Sequence, residues 1–145
     1  VISYFAEHES ERKDMTLIAG FKSVKDILFK ADFEKWRKKM NVILTLDSGE
    51  ETAEYKIGLV TKYIPDLKLQ DVSKAVAIVV GPPAMMRFSV KGLLEQGFKE
   101  ENIWISHERK MCCGLGKCGH RKVNDTYICL DGPVFNYTKG KTLID

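Results

Sequence analysis

The residues Met111 to Pro133 read MCCGLGKCGHRKVNDTYICLDGP and contain all four cysteines of the chain: Cys112, Cys113, Cys118 and Cys129. A disulfide-stapled domain spreads its cysteines to close long loops. Clustering of this kind points instead to soft thiolate sulfur gathered around a metal, in a reducing setting. Plant-type 2Fe-2S clusters leave four residues between the first two thiolates, two between the second and third, and place the fourth further on. Cys113 and Cys118 match the first gap, and Cys129 matches the distant fourth position. The third position falls on Arg121, whose guanidinium cannot ligate iron. The intervening glycines let the backbone curl tightly and aim N–H groups at sulfur.

Zinc is the rival metal. It prefers ligand pairs two to four residues apart. Cys113 and Cys118 are slightly wide for that, Cys129 has no near partner, and His120 is the residue that could complete such a site. A loop of free or partly oxidised thiols without metal is the third possibility. His8, His107 and His120 read as surface residues, and Arg121 reads as solvated. No Ser-His-Asp set, credibly spaced carboxylate pair or phosphate-binding lysine loop is present, so hydrolytic chemistry has no support.

The elements that must position this loop alternate between strand and helix. VISYFAEHE is the tail of a helix, and the apolar run 15–20 is a buried strand. Ser23 opens a helical region with Asp26 in the capping-box position; Ile27, Leu28, Phe33, Trp36 and Met40 then recur at helical spacing. VILTL (42–46) is a strand ending at Asp47-Ser48-Gly49, and 58–63 is a short helix stopped before Pro65. AVAIVVG (75–81) is the clearest buried strand. Met86, Val90, Leu93 and Leu94 stripe the next helix, which ends at Gly97. NIWIS (102–106) is a further strand, and a hairpin through TYICL and PVFNY follows the cysteine loop. Apolar strands separated by helices predict a three-layer, doubly wound parallel α/β sheet. The rhythm stops near His107, which divides the chain into residues 1–107 and 108–145.

The composition is that of one globular domain: 145 residues, 44% apolar, 30% charged and net +3. Charge this weak and mixed gives no nucleic-acid surface. No apolar run is long enough to span a membrane, and no signal peptide opens the chain; a cytoplasmic protein is expected. Val1 enters in the middle of an amphipathic pattern, so a longer parent protein is expected.

CGLGKCGHRKV, YICLDGPVF, GPPAMM and GFKSVKDILF together resemble the iron–sulfur electron-transfer flavoproteins of the ferredoxin–NADP reductase superfamily. That branch includes the gamma subunits of sulfhydrogenases, the corresponding subunit of anaerobic sulfite reductases and the electron-transfer subunit of dihydroorotate dehydrogenases. The resemblance covers essentially the whole chain. It implies a ferredoxin-reductase-like NAD-binding domain lacking its first strand and glycine-rich turn, followed by a cysteine-rich 2Fe-2S segment. A barrel that binds FAD or FMN would lie outside these residues. It also implies an oxidoreductase subunit that passes electrons between NAD(P)H, flavin and cluster to a catalytic or electron-accepting partner subunit. The non-catalytic alternatives are an α/β domain with structural zinc and a truncated remnant without redox activity.

The resemblance further places Gly81, Pro82 and Met85 toward the nicotinamide half of the nucleotide, and Gly20, Phe21 and Lys22 near pyrophosphate and ribose. Asp47 and Ser48 would lie near the adenine ribose, where a carboxylate accepts bonds from a free 2′-hydroxyl and repels a 2′-phosphate, favouring NAD over NADP. Cys113, Cys118 and Cys129 are its matched metal ligands, Cys112 is the spare thiol, and Arg121 stands where it has a cysteine.

Overall fold

TLIAGF folds as strand β1 (Thr16–Phe21) and NVILTL as β2 (Asn41–Leu46), paired in parallel from Thr16 opposite Asn41 to Phe21 opposite Leu46. Their apolar, partly β-branched runs favour this half-buried pleated surface. A third strand, β3 (Tyr55–Ile57), adds in parallel to β2. It is short and follows a polar stretch, and neither length nor periodicity announces it. In the computed structural model, residues 1–11, 13–107 and 111–143 are described. They fall into two compact units, Val1–Lys68 and Leu69–Asp145.

In the first unit, α1 (Ile2–Glu7) precedes β1, and α2 (Lys30–Arg37) connects β1 to β2. Ile27, Phe33, Leu44 and Leu46 form its core, with Leu17, Phe21, Trp36 and Ile57 packed against them. Leu28, expected on the helical stripe, is exposed. Ser23 opens a single 3-10 turn, Val24–Asp26, and its Oγ donates to Asp26 Oδ2 at 2.7 Å instead of capping a backbone N–H. The expected short helix at 58–63 is likewise a 3-10 turn, Val60–Tyr63. β1 itself is half-buried, not buried.

In the second unit, β4 (Ala77–Val80) pairs in parallel with β5 (Ile103–Ser106), and β8 (Val134–Asn136) adds antiparallel to β5. Helix α3 (Pro83–Glu95) starts with proline in its first turn, where a missing N–H costs nothing. It buries Met86, Val90 and Leu93. β4 corrects the expectation of a fully buried strand: Val79 is buried, but Ile78 and Val80 are 46% and 53% exposed. The period of two puts its apolar residues on both faces, and one face remains open.

The hairpin also differs from expectation. It is formed by β6 (Lys122–Val123) and β7 (Thr126–Tyr127), with Asn124 at φ 51° in the turn between them. Asparagine tolerates that left-handed conformation better than most residues. ICLD becomes a helical turn, α4 (Ile128–Asp131), and PVFNY joins the main sheet through β8, ending in α5 (Tyr137–Gly140). Burial of Ile128, Phe135 and Leu143 with Val123 ties this tail down. The protein is thus mixed α/β with parallel strand pairing in each unit.

Candidate functional site

In the first unit, the predicted nucleotide-side residues gather at the carboxyl ends of β1 and β2, where ligands bind in open parallel sheets. The Asp47 N–H donates to the Phe21 carbonyl at 3.0 Å, and the Ser48 N–H and Oγ donate to the Lys22 carbonyl at 3.3 and 3.2 Å. Lys22, Asp47 and Ser48 are exposed. Gly20 leaves room for its neighbours: a Cβ there would lie 2.7 Å from Val60 Cγ1 and 3.2 Å from Thr45 Oγ1. A cleft of ≈ 600 Å³ lies along the first residues of β2, lined by Arg37, Asn41, Glu54 and Lys68 among others, and contains none of the predicted nucleotide residues.

In the second unit, Gly81 follows β4 directly, Pro82 stands at the N-cap of α3, and Met85 lies in its first turn. A Cβ on Gly81 would overlap Met85 Cε, so the methionine tip lies over this glycine. Ser89 Oγ donates to Met85 Sδ at 3.2 Å and anchors it from one turn along the helix. Met86 is the core-filling member of the pair, 2% exposed.

The cysteine loop is built around sulfur. Gly114, Gly116 and Gly119 have φ of 69°, 70° and 73°, a left-handed curl that side chains resist. The curl aims the Leu115 and Cys118 N–H groups at Cys113 Sγ, each at 3.4 Å. These donors, with the neighbouring Cys118 thiol, bring the Cys113 pKa down to about 6. Backbone donors favour the charged form. In the metal-free chain, Cys113 is therefore protonated and slow to alkylate below that pH, and a reactive thiolate above it. Iodoacetamide labelling followed by peptide mass spectrometry should give a midpoint near 6 for Cys113, against about 8.5 for an ordinary thiol. A midpoint near the ordinary value would remove the backbone cradle from the account.

The donor atoms of Cys112, Cys118 and His120 all lie within 4.8 Å of one another, and all three residues are exposed. Cys129 is half-buried on α4. All four cysteines are free thiols.

Two expectations are corrected. Arg121 is buried at 7% exposure rather than solvated, and His107 is buried at 5%. The Arg121 guanidinium donates to the Met111 sulfur and the His107 carbonyl, each at 3.4 Å. Its Nε has no hydrogen-bond partner among the described residues. The arginine backbone is held where the chain enters the hairpin, with its carbonyl accepting from the Ile128 N–H at 2.8 Å. The long aliphatic stem of arginine lets it fill an interior position, which charge alone does not reveal in a sequence. The residues therefore offer a cradle for a thiophilic group, but not four thiolates at the template positions.

Residues 1–91 match the oxidoreductase NAD-binding domain family. The chain belongs to that family. Residues 108–139 match the iron-sulfur cluster binding domain of dihydroorotate dehydrogenase B, so an NAD-binding domain and an iron–sulfur segment share one chain. The sulfhydrogenase 2 gamma subunit of Pyrococcus furiosus is 32% identical, over 94% of this chain and 53% of its own length. The dihydroorotate dehydrogenase B (NAD(+)) electron transfer subunit of Bacillus pumilus is 29% identical, over 81% of this chain and 43% of its own. The chain spans about half the length of these relatives. The ferredoxin reductase in carbazole 1,9a-dioxygenase shares the fold, with a TM-score of 0.54 at 19% identity over 69% of this chain and 31% of its own. None of the described helices is long and apolar enough to cross a membrane.

Proposed function

We propose that this NAD-binding chain is part of a cytoplasmic electron-transfer subunit that carries electrons between NAD(P)H, a flavin and a 2Fe-2S cluster, and on to a catalytic or electron-accepting partner subunit. The observation that carries the reading is the pairing, in one chain, of an oxidoreductase NAD-binding family match with a thiol-rich loop matching an iron–sulfur domain. The subunit names of the relatives above support it. In this division of labour, residues 1–107 serve the nucleotide and 108–145 the cluster, and FAD or FMN is held outside these residues.

Nicotinamide, flavin and cluster supply the redox chemistry when bound. The chain's own residues supply position and charge. Gly20, Phe21 and Lys22 present backbone and a cation to the pyrophosphate and ribose. Asp47 and Ser48 present oxygen acceptors to the adenine ribose. Gly81, Pro82 and Met85 form the nicotinamide side, with the Ser89-anchored Met85 covering Gly81. Cys112, Cys113, Cys118 and Cys129 are the thiols available to iron, and the glycine curl that cradles Cys113 holds sulfur as thiolate without a neighbouring metal.

Calorimetric titration tests the nucleotide half. NADH is expected to bind roughly tenfold more tightly than NADPH, because about 1.4 kcal/mol of repulsion between the Asp47 carboxylate and a 2′-phosphate corresponds to that ratio. Asp47→Ala should narrow the gap. Equal affinities in the unaltered chain would sink the preference for NAD, and no binding of either nucleotide would sink the nucleotide site.

A further inference from the structure

We propose that His120 is a metal ligand of the cysteine loop, acting with Cys112 and Cys118 in place of the thiolate that Arg121 denies it. This rests on the reading that the loop holds an iron–sulfur group, and it names a ligand that reading does not include. Three observations converge.

The first is juxtaposition. Cys112 Sγ, Cys118 Sγ and a ring nitrogen of His120 lie within 4.8 Å of one another. Each iron of a 2Fe-2S centre is tetrahedral with two bridging sulfides and two protein ligands, and two donors sharing one iron, with bonds of ~2.0–2.3 Å, lie roughly 3.3–3.8 Å apart. The remaining gap of about 1 Å is within the reach of side-chain rotation, since all three residues are exposed.

The second is the disagreement at position 121. A guanidinium carries a permanent charge and no available lone pair, so it cannot bind iron. Here it is also turned inward, held by the Met111 sulfur and the His107 carbonyl. The adjacent residue, His120, sits on the open side with the thiols.

The third is chemical. A neutral imidazole is a good iron ligand, and histidine replaces cysteine on one iron of Rieske-type 2Fe-2S centres. Binding would release the thiol protons of the ligating cysteines, with imidazole entering neutral. A 2Fe-2S centre takes four protein ligands, so one of Cys113, beside Cys118, and Cys129 completes the set.

The test is anaerobic reconstitution of the full chain with ferrous iron and sulfide, followed by iron and sulfide analysis and pulsed EPR of the reduced protein. The unaltered chain should show a strongly coupled nitrogen that changes on 15N-histidine labelling. His120→Cys should keep its iron and lose that coupling. His120→Ala should lose at least about tenfold in iron affinity, since even partners behind a ligand typically cost roughly 10- to 100-fold. His8→Ala, in the other unit, should change neither. Iron and sulfide retained without a directly bound nitrogen, or His120→Ala binding iron as well as the unaltered chain, would overturn the assignment of His120 alone. An unaltered chain that takes up neither iron nor sulfide overturns both this assignment and the cluster reading, while the nucleotide titration stands apart from either result.

Discussion

Cys118→Ser should strip the reconstituted protein of iron, sulfide and visible charge-transfer absorbance, with at least a roughly tenfold fall in bound metal. Cys118 holds two positions at once. Its thiol is one of the three grouped donors, and its N–H donates to Cys113 Sγ at 3.4 Å. Serine keeps the size and the backbone N–H, so the curl around Cys113 persists while a soft donor becomes a hard one. Iron–sulfur chemistry depends on that softness, so the change is felt at the metal rather than in the loop. The residue is exposed, so far-UV circular dichroism and the unfolding midpoint of the metal-free chain should match those of the unaltered protein. Iron and sulfide contents unchanged in Cys118→Ser would mean that the cluster ligands lie elsewhere. A collapse of the fold in the metal-free variant would show that the thiol is structural.

Where physics acts locally, the sequence can be read. β1, β2, β4, β5 and α3 follow from uninterrupted apolar runs and from a helical stripe opened by proline and closed by glycine. The thiol loop is legible for a similar reason, because cysteine and glycine at close spacing can serve few purposes. Interactions that depend on distant partners are not legible. β3 is three residues long and exists because β2 offers it an edge. β8 leaves the expected hairpin because Phe135 and Ile128 find a buried cluster with Val123 and Leu143. Arg121 reads as a surface cation until the hairpin folds its stem inward. His120 follows Cys118 by only two positions and reads as a surface residue, and spacing alone shows neither its grouping with that thiol nor that Cys112 joins them, because adjacent cysteines seldom point the same way. The open face of β4 is hidden too: Ile78 and Val80 are as apolar as Val79, and only the tertiary arrangement distinguishes them.

Leu46→Ala carries the largest expected stability effect, and it acts beside the proposed nucleotide residues. Leu46 is fully buried at 0% exposure. It stands opposite both Phe21 and Ile57 in the parallel register, and its carbonyl accepts from the Gly58 N–H at 2.9 Å. Alanine keeps that backbone bond and removes most of the side chain from a core that cannot fully collapse, which costs about 2–5 kcal/mol. Against a total stability of typically about 5–15 kcal/mol, the loss is a large share. The next two residues, Asp47 and Ser48, are held by bonds to the Phe21 and Lys22 carbonyls, so loosening β2 also loosens these proposed ribose-side acceptors. Urea unfolding followed by Trp36 fluorescence in a Trp104→Phe background isolates the first unit, because Trp36 packs on the same core. The midpoint should fall in proportion to the lost stability, and NADH affinity should fall with it near the transition. Ile78→Ala is the contrast: that side chain is 46% exposed, so its truncation forfeits only partial burial and should cost well under half as much. A loss at Leu46 below about 1 kcal/mol would show that the strand ends are not held by this core, and the positioning of Asp47 would then need another cause.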